Sequence, residues 1–398
     1  MSDVELLFVI LAVVYAIECS WWLDRRSVAF RSCFGKRFRL IQPSSFVGNS
    51  RGGFIFTHPL PPLGVALAAH ELPLSIASGG VLVGSSSGQS QKFIPFDAAR
   101  EFSAAGKKIS GGGSVLLKAG SPGEARHVVQ ILERLRALDK PRRAPVLEKI
   151  IEQSLDNDQV RKRWERFRQK IKSLRVLCNG LFVYLFMFAP VLIGMRGLAS
   201  NWPWLLGGIL ALTLPIALSF NRVHKELYAE AVEERFTHFL IVLLSPATAI
   251  RAHDVLSRSL LVEFHPLAVA KAFCTPSEFR AFAGEFVRNL RYAHGLEDDS
   301  AESDPADIAE WSRALWLRKL ETWLSQQGMN PQELTGPPVP ADDTCFSYCP
   351  RCLAQFTTEK GSCADCGGIP LVPFSFGAGR SAVPPAGPLQ APIAKERR

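Results

Sequence analysis

The sequence lacks the catalytic motifs that most readily identify an enzyme. Residues 84–89 (GSSSGQ) are rich in glycine and serine, but the Gly-Lys-Ser/Thr ending of a phosphate-binding loop is missing. No HExxH motif or convincing catalytic Cys/His pair is present either. These absences favour a function other than catalysis.

Two classes of protein are excluded by composition and length. With 47% hydrophobic residues, the chain has too much apolar surface for a disordered protein. At 398 residues it is too long for a small secreted domain held together by disulfides. Its net charge of +9 fits a basic protein of two or three domains, but these averages conceal where the apolar residues lie.

Charged residues are missing altogether from two mid-chain stretches, 176–195 and 202–220. Each is about as long as a membrane-spanning helix, and only residues 196–201 separate them. The prolines and paired glycines within them are tolerated better in membrane spans than in soluble helices. We therefore predict a transmembrane hairpin over 176–220, the alternative being two buried helices of a soluble core.

A third apolar run covers residues 6–23 and contains one charge, Glu18. Acidic residues precede it where a signal peptide would carry positive charge, so residues 1–23 are predicted to form an uncleaved transmembrane anchor. Trp21 and Trp22 would lie at its interfacial end. Glu18 is close enough to that end to reach water, although an ionisable residue inside a span is also a functional hypothesis.

A fourth run, residues 236–250, is predicted not to span. It has only 15 residues, contains His238 and is interrupted at Ser245-Pro246. A run of this length is more typical of a buried or interfacial helix.

Basic residues cluster beside the predicted spans. Residues 24–39 contain six Lys/Arg and one acid, and residues 161–175 contain eight and one. The positive-inside rule places both clusters in the cytoplasm. The protein would lie in a plasma or inner membrane, with its N-terminus outside and its C-terminus in the cytoplasm. We expect both clusters to contact anionic lipid headgroups.

The segment 24–140 is predicted to be a β-rich cytoplasmic domain that ends in a helix. The helix follows Ser121, a good N-cap with Glu124 three residues later. This layout, over residues 38–138, resembles that of pleckstrin-homology-like bacterial membrane proteins. The predicted strands are residues 38–41, 53–57, 80–83, 92–96, 107–109 and 114–118.

Helices are predicted on both sides of the hairpin. Residues 141–175 form a basic juxtamembrane helix and residues 221–335 a helical cytoplasmic region, with an acidic linker at 296–307. Residues 377–398, rich in proline and poor in apolar residues, are predicted to be a disordered tail. Within the helical region, the predicted helices are residues 254–262, 277–291 and 304–327.

The most specific motif is a pair of CxxC sequences, Cys349-Pro-Arg-Cys352 and Cys363-Ala-Asp-Cys366, separated by ten residues. Four thiolates at this spacing are what a tetrahedral Zn²⁺ site requires. Residues 345–375 resemble the zinc ribbon family, and this resemblance implies that the four cysteines are the ligands of a structural zinc ion. Rubredoxin-like iron binding and disulfide formation are the alternatives.

Two further features of this segment bear on its role. Cys345 precedes the first pair and is predicted not to be a ligand. Nucleic-acid binding, common among zinc ribbons, is disfavoured because Asp342–Cys366 has two bases against four acids, namely Asp342, Asp343, Glu359 and Asp365. A protein-docking ribbon or a structural staple is expected instead.

One dipeptide, His253-Asp254, is compatible with an enzyme. With His224 or His238 before it and Asp298 or Asp299 after it, it resembles the ligand pattern of HD-type phosphohydrolases. The spacing is unconstrained, so a polar pair on a helix surface is the expected interpretation.

The sequence thus predicts a multi-domain α+β integral membrane protein. It would have three transmembrane helices, a β-rich cytoplasmic domain, a helical region and a C-terminal zinc ribbon at residues 340–376. The expected function is that of a membrane-tethered scaffold or adaptor with cytoplasmic protein-binding domains. The alternatives are a membrane-bound metal-dependent hydrolase and nucleic-acid binding through the ribbon.

Overall fold

The protein combines helices with several small sheets in a computed structural model. The described residues are 3–18, 20–23, 26–31, 38–41, 53–56, 65–70, 74–83, 92–99, 101–119, 121–229, 231–257, 259–292, 304–366 and 368–374. No side chain of the basic cluster 24–39 is among those described, and the predicted tail 377–398 lies outside these residues.

Helices dominate the described residues after position 121, and one further helix lies at the N-terminal end of the described residues. They are α1 (Asp3–Glu18), α2 (Pro122–Arg136), α3 (Lys140–Ser154), α4 (Asn157–Lys170), α5 (Lys172–Val183), α6 (Ala189–Arg196), α7 (Leu198–Leu227), α8 (Val232–Leu244), α9 (Pro246–Ile250), α10 (Ala252–Ser257), α11 (Pro266–Phe273), α12 (Pro276–Arg291), α13 (Asp304–Gln326) and α14 (Pro331–Leu334). A π-helical turn, Tyr184–Phe188, joins α5 to α6.

All strand pairings are antiparallel and short. The strands before α2 are β1 (Ser20–Leu23), β2 (Arg26–Arg31), β3 (Phe38–Ile41), β4 (Gly53–Phe56), β5 (Val65–His70), β6 (Leu74–Ile76), β7 (Gly80–Val83), β8 (Lys92–Pro95), β9 (Phe102–Ala105), β10 (Lys108–Gly111) and β11 (Ser114–Lys118). They pair in the orders β1-β4, β3-β2-β5, β6-β7-β8 and β11-β10-β9.

The prediction of a first transmembrane helix over residues 6–23 is wrong. Helix α1 has 16 residues and ends at Glu18, short of the about 20 that a span needs. Trp21 and Trp22, predicted to form an interfacial belt, instead pair with Ile55 and Phe54 in the β1-β4 sheet. Aromatic residues favour strands, which explains why the helix does not continue through them.

Two helices among the described residues are long and apolar enough to cross a membrane, not three as predicted. They are Lys172–Arg196 and Leu198–Leu227, which together we call the apolar hairpin. The turn is tighter than the predicted 196–201, because Gly197 alone separates the helices with φ +75°. The Tyr184 hydroxyl bridges them by donating towards the carbonyl oxygens of Trp204 and Leu205, at 3.2 Å each.

The base of the apolar hairpin belongs to one hydrophobic core. Phe220 and Leu174 are fully buried there together with residues from α4 and α8–α11. Helix α8 has 13 residues, overlaps the start of the run 236–250 and ends at Leu244; the hydroxyl of the next residue, Ser245, caps α9. The Cys178 thiol donates to the Ala249 carbonyl oxygen at 3.2 Å, which fixes α9 against the hairpin.

A second hydrophobic core joins sheets β6-β7-β8 and β11-β10-β9 to helices α2, α3 and α11–α13. Ser121 caps α2 as predicted, accepting from the Glu124 backbone N–H at 3.1 Å. Arg143 is almost fully buried beneath the sheets and bonds the Ser78 carbonyl oxygen and the Asp97 carboxylate, at 3.1 and 2.6 Å. A buried guanidinium needs such partners, so Arg143 holds α3 in place.

The predicted helices of the C-terminal half match the structure unevenly. Residues 277–291 and 304–327 correspond to α12 and α13, and α12 has a capping box between Thr275 and Glu278. The prediction for 254–262 is wrong at its end, because α10 stops at Ser257. The acidic linker predicted at 296–307 overlaps α13, which begins at Asp304.

Candidate metal centre

Four cysteine side chains meet at the C-terminal end of the described chain. The sulfur atoms of Cys349, Cys352, Cys363 and Cys366 all lie within 4.8 Å of one another, and those of Cys352 and Cys363 are 3.8 Å apart. Sulfurs at about 2.3 Å from a tetrahedral zinc ion are separated by about 3.8 Å. The donor set and its spacing therefore suit a metal ion such as zinc.

A β-turn-like loop presents the first two cysteines. Strands β12 (Ser347–Tyr348) and β13 (Gln355–Phe356) pair on either side of it. Within the loop, the Cys349 N–H donates to the Ala354 carbonyl oxygen at 2.8 Å and the Leu353 N–H to that of Cys349 at 2.9 Å. This folding back brings the Cys352 thiol beside the Cys349 thiol.

A similar loop presents the second pair. Strand β14 (Ser362–Cys363) pairs with β15 (Ile369–Pro370), and a single 3₁₀ turn carries Cys366. Gly368 closes the loop with φ +87°, its N–H donating to the Cys363 carbonyl oxygen at 3.0 Å. Glycine adopts a positive φ without strain, so this residue permits the tight loop after the second pair. A further strand, β16 (Val372–Pro373), pairs with β12.

The two loops differ in one backbone requirement. Leu353 has φ +62° and is the one non-glycine residue with positive φ in the described part of the chain. This conformation costs an L-residue about 1–2 kcal/mol relative to glycine. Leu353 also packs against Cys345, Tyr348 and Phe374, which offsets that cost.

Backbone N–H groups stabilise negative charge at Cys349. Burial raises the pKa of this thiol, but hydrogen bonds from the N–H groups of Cys352 and Arg351 and from nearby thiols outweigh burial, so its pKa lies below the ordinary value. At Cys366, burial and the neighbouring thiols raise the pKa. A cation at the centre would favour the thiolate form of all four cysteines.

The remaining described cysteines take no part in the cluster. Cys345 is buried against Tyr348 and Phe374, with its sulfur 3.5 Å from an Asp342 carboxylate oxygen. Cys178 packs within the first core and Cys274 packs against the second. None of the seven cysteines that the structure describes forms a disulfide.

The cysteine cluster is attached to the helical region through α12. Tyr292, directly after α12, packs against Cys349, Cys363 and Ile369. Arg351 donates from Nε to the Asn289 side-chain oxygen at 3.2 Å. The sequence contained no signal for this attachment, because single polar and aromatic residues at a helix end are common without any partner.

The chain leading into the cluster is also held by α12. Arg288 donates to the Leu334 carbonyl oxygen at 3.0 Å, and Arg291 donates to the Thr335 hydroxyl at 2.7 Å. Arg291 also forms an ion pair with Glu321 of α13, at 2.6 Å. Metal coordination would therefore stabilise a segment that is anchored at one end to the helical core.

The histidines of the hydrolase hypothesis lie in the first core. The rings of His224 and His238 are 6.1 Å apart between centroids, whereas His253 is fully buried and not on a helix surface as predicted. The side chain of Asp254, as well as Asp298 and Asp299, lies outside the described residues. Among the described side chains, the four cysteines are the one group of three or more candidate ligands.

Comparison with known protein families, curated proteins and solved structures found no match to this chain.

Proposed function

We propose that this protein is a membrane-tethered scaffold whose C-terminal segment is a zinc ribbon with a structural metal ion. The observation that carries the proposal is the convergence of four thiols at the C-terminal side of a chain that also contains two helices able to span a membrane. The apolar hairpin anchors the chain, and the ribbon, here residues 345–374, presents a rigid surface at the end of the helical region.

The donor set favours zinc and a structural role. Four thiolates leave no coordination position open for water or substrate, whereas catalytic zinc sites keep one open. Thiolates also exclude magnesium and calcium, which prefer oxygen ligands. Rubredoxin-like iron uses the same four ligands, and elemental analysis distinguishes it from zinc.

The surface of the apolar hairpin supports membrane insertion. Val176, Met187, Val191, Trp204 and Leu218 each expose between 55 and 78% of their surface. A soluble protein rarely exposes an apolar patch of this extent, because exposing each such side chain to water costs free energy. Hydrocarbon is the solvent in which this surface is stable.

The orientation follows from charge. Helix α4 and the start of α5 contain the basic cluster 161–175, at the N-terminal end of the first candidate span. The positive-inside rule then places this cluster, the helical region and the ribbon in the cytoplasm. In that reducing compartment the thiols bind metal instead of forming disulfides.

The ribbon and the chain just before it offer apolar side chains for a protein partner. Val339 is 86% exposed, and Phe346 and Val372 are more than one-third exposed. Exposed aromatic and aliphatic groups on a small rigid module suit protein docking. Its acidic balance does not favour phosphate contacts, and one of its two bases, Arg351, is already bonded to Asn289.

Fusion reporters test the orientation. We expect an alkaline phosphatase fused after residue 376 to be inactive and a fluorescent protein at the same place to be fluorescent. The same pair of reporters fused at residue 197, in the hairpin turn, should behave in the opposite way. An active phosphatase after residue 376 would place the ribbon outside and contradict the proposal.

A crosslinking experiment tests the scaffold function. A photo-crosslinking amino acid at position 346 should give a discrete adduct in cells, and Cys363→Ser should abolish it without releasing the chain from the membrane. A crosslinker at exposed Glu359 serves as the matched control. An adduct that survives Cys363→Ser would show that partner binding does not depend on the folded ribbon.

A further inference from the structure

A polar groove lies at one end of the apolar hairpin, where α4, α5 and α7 meet. It has a volume of about 490 Å³. Its polar lining consists of Lys170 and Ser173 from one side and Ser219, Arg222 and Glu226 from α7, with Leu218 at its apolar edge. The groove thus joins the basic cluster 161–175 to the surface of a candidate span.

The two cations of the groove are held by a single carboxylate. Lys170 Nζ lies 2.9 Å from one Glu226 oxygen, and Arg222 Nε lies 3.4 Å from the other. An ammonium has three N–H donors and a guanidinium has five, so both retain donors for another anion. With two cations and one carboxylate, the groove has a net charge of +1 and two nearby hydroxyls.

An apolar row leads away from the groove along α7. Leu206, Leu210, Leu214 and Leu218 recur every four residues, and each exposes between 46 and 55% of its surface. Residues four apart share one helix face, so Arg222 and Glu226 continue the same row into the groove. At 1.5 Å per residue the four leucines extend over about 18 Å, close to the about 15 Å of one hydrocarbon leaflet.

We infer that this groove binds the phosphate of an anionic phospholipid, whose acyl chain lies along Leu206–Leu218. Lys170 and Arg222 donate charge-assisted hydrogen bonds to the phosphate oxygens, and Ser173 and Ser219 supply neutral donors. Glu226 holds both cations in the groove before the lipid arrives. The inference rests on the proposed membrane insertion, and it assigns one of the lipids around the hairpin to a defined site.

The first test is lipid binding to the full-length protein in detergent, measured by native mass spectrometry. We expect phosphatidylglycerol to bind about tenfold more tightly than phosphatidylcholine, and the Lys170→Gln/Arg222→Gln double variant to remove that preference. Tenfold corresponds to about 1.4 kcal/mol, within the effect of about 1 kcal/mol per basic residue at a membrane surface. Arg168→Gln, an exposed base on α4 outside the groove, should keep the preference within twofold.

A second arm separates the lipid from free phosphate esters. Glycerol phosphate should bind at least tenfold more weakly than phosphatidylglycerol, because it lacks the acyl chain. Leu214→Gln should weaken phosphatidylglycerol binding and leave that of glycerol phosphate unchanged. Equal affinity for both ligands would show a phosphate site without a lipid, and equal loss in Arg168→Gln would show a diffuse charge effect; either result overturns the inference.

Alkaline washing of the membranes shows whether a negative result contradicts the lipid site alone or the proposed membrane insertion as well. If the chain resists the wash but shows no preference for phosphatidylglycerol, the hairpin is inserted and only the lipid site is wrong. If the wash releases the chain, membrane insertion itself is wrong. The wild-type protein and the double variant should both stay in the membrane.

Discussion

The apolar hairpin and the ribbon differ in how much apolar surface they have. The hairpin has an excess of apolar surface, including Met195 and Trp204, which are each more than 70% exposed. The ribbon has little apolar surface, since the buried residues of its two small clusters are three cysteines with Tyr348, Ile369 and Phe374. On the proposed function, neither region is complete as polypeptide alone: the hairpin would need hydrocarbon around it and the ribbon would need an ion within it.

The second core provides the reference for both. It buries Phe96, Phe102, Leu132 and Leu324 almost completely among other protein side chains. Such a core derives its stability from burial within the chain, at about 25 cal/mol per Å² of apolar surface. Conditions that remove metal or lipid should therefore affect the ribbon and the hairpin separately and leave this core folded.

Metal removal should have the largest effect, and only on the ribbon. We expect a zinc chelator to remove the protection of backbone amides in residues 345–374 against hydrogen exchange, because structural zinc contributes about 10 kcal/mol or more to such modules. Amides of α7 and β10 should keep their protection. Cys363→Ser should reproduce the effect of the chelator, and Cys345→Ser should not.

A charge on the exposed face of the hairpin should have the largest effect among single substitutions outside the ribbon. Leu214→Arg places a guanidinium near the middle of a candidate span, which costs about 3 kcal/mol of insertion free energy. The measurement is the fraction of the chain that resists alkaline extraction. Val339→Arg is the matched change at an exposed position beside the ribbon. It should leave the extracted fraction unchanged and alter the free energy of unfolding by no more than about 0.5 kcal/mol.

Low pH should destabilise the second core, whose folding depends on neither lipid nor metal. Burial lowers the pKa of His265 to about 3, and this histidine lies between Phe286 and Trp316. The unfolded chain binds a proton below pH 6.5 while the folded chain does not. Stability should therefore fall by about 1.4 kcal/mol per pH unit between pH 6.5 and pH 3, and remain level above that range.

The control for this pH dependence is His265→Asn. Asparagine can still accept the Leu267 N–H at the start of α11, where His265 Nδ1 accepts it at 3.2 Å, but it does not titrate. The variant should be less stable at pH 7, because it loses the ring contacts, and its stability should vary less between pH 6.5 and pH 4. An unchanged slope in chemical denaturation would show that another group is responsible.

The smallest expected effect lies within the ribbon loop. At ordinary positions glycine is less stabilising than alanine by about 0.5–1 kcal/mol. At position 353, where φ is +62°, the order should reverse, with Leu353→Gly more stable than Leu353→Ala by about 1 kcal/mol. Thermal unfolding of the two zinc-bound variants measures the difference, and the ordinary order would contradict the strained loop.

The same contrast explains what could be predicted from the sequence. The hairpin and the four cysteines were predictable because each has a strict local pattern, an uncharged run of about 20 residues in one case and paired CxxC in the other. Strands such as β3, β7 and β11 were also predictable from short apolar runs between glycine and proline. These signals depend on neighbouring residues only.

The wrong or missed predictions concern residues whose structure depends on contacts with residues far away in the sequence. Residues 20–23 continue the apolar run of α1, yet they pair with Gly53–Phe56, a partner that no local pattern specifies. His253 was expected on a surface, but the packing of α10 buries it. The attachment of Arg351 to Asn289 joins residues 62 positions apart, and the groove at Lys170 and Arg222 forms only when α4 and α7 meet.

Elemental analysis of the full-length protein, purified from alkali-washed membranes, tests the central claim most directly. The account predicts one zinc ion per chain, no iron, and loss of the zinc in Cys349→Ser and Cys363→Ser but not in Cys345→Ser. It also predicts that all of these variants remain in the washed membranes. Washed membranes that contain the chain without zinc, or a chain that the wash releases, would contradict it.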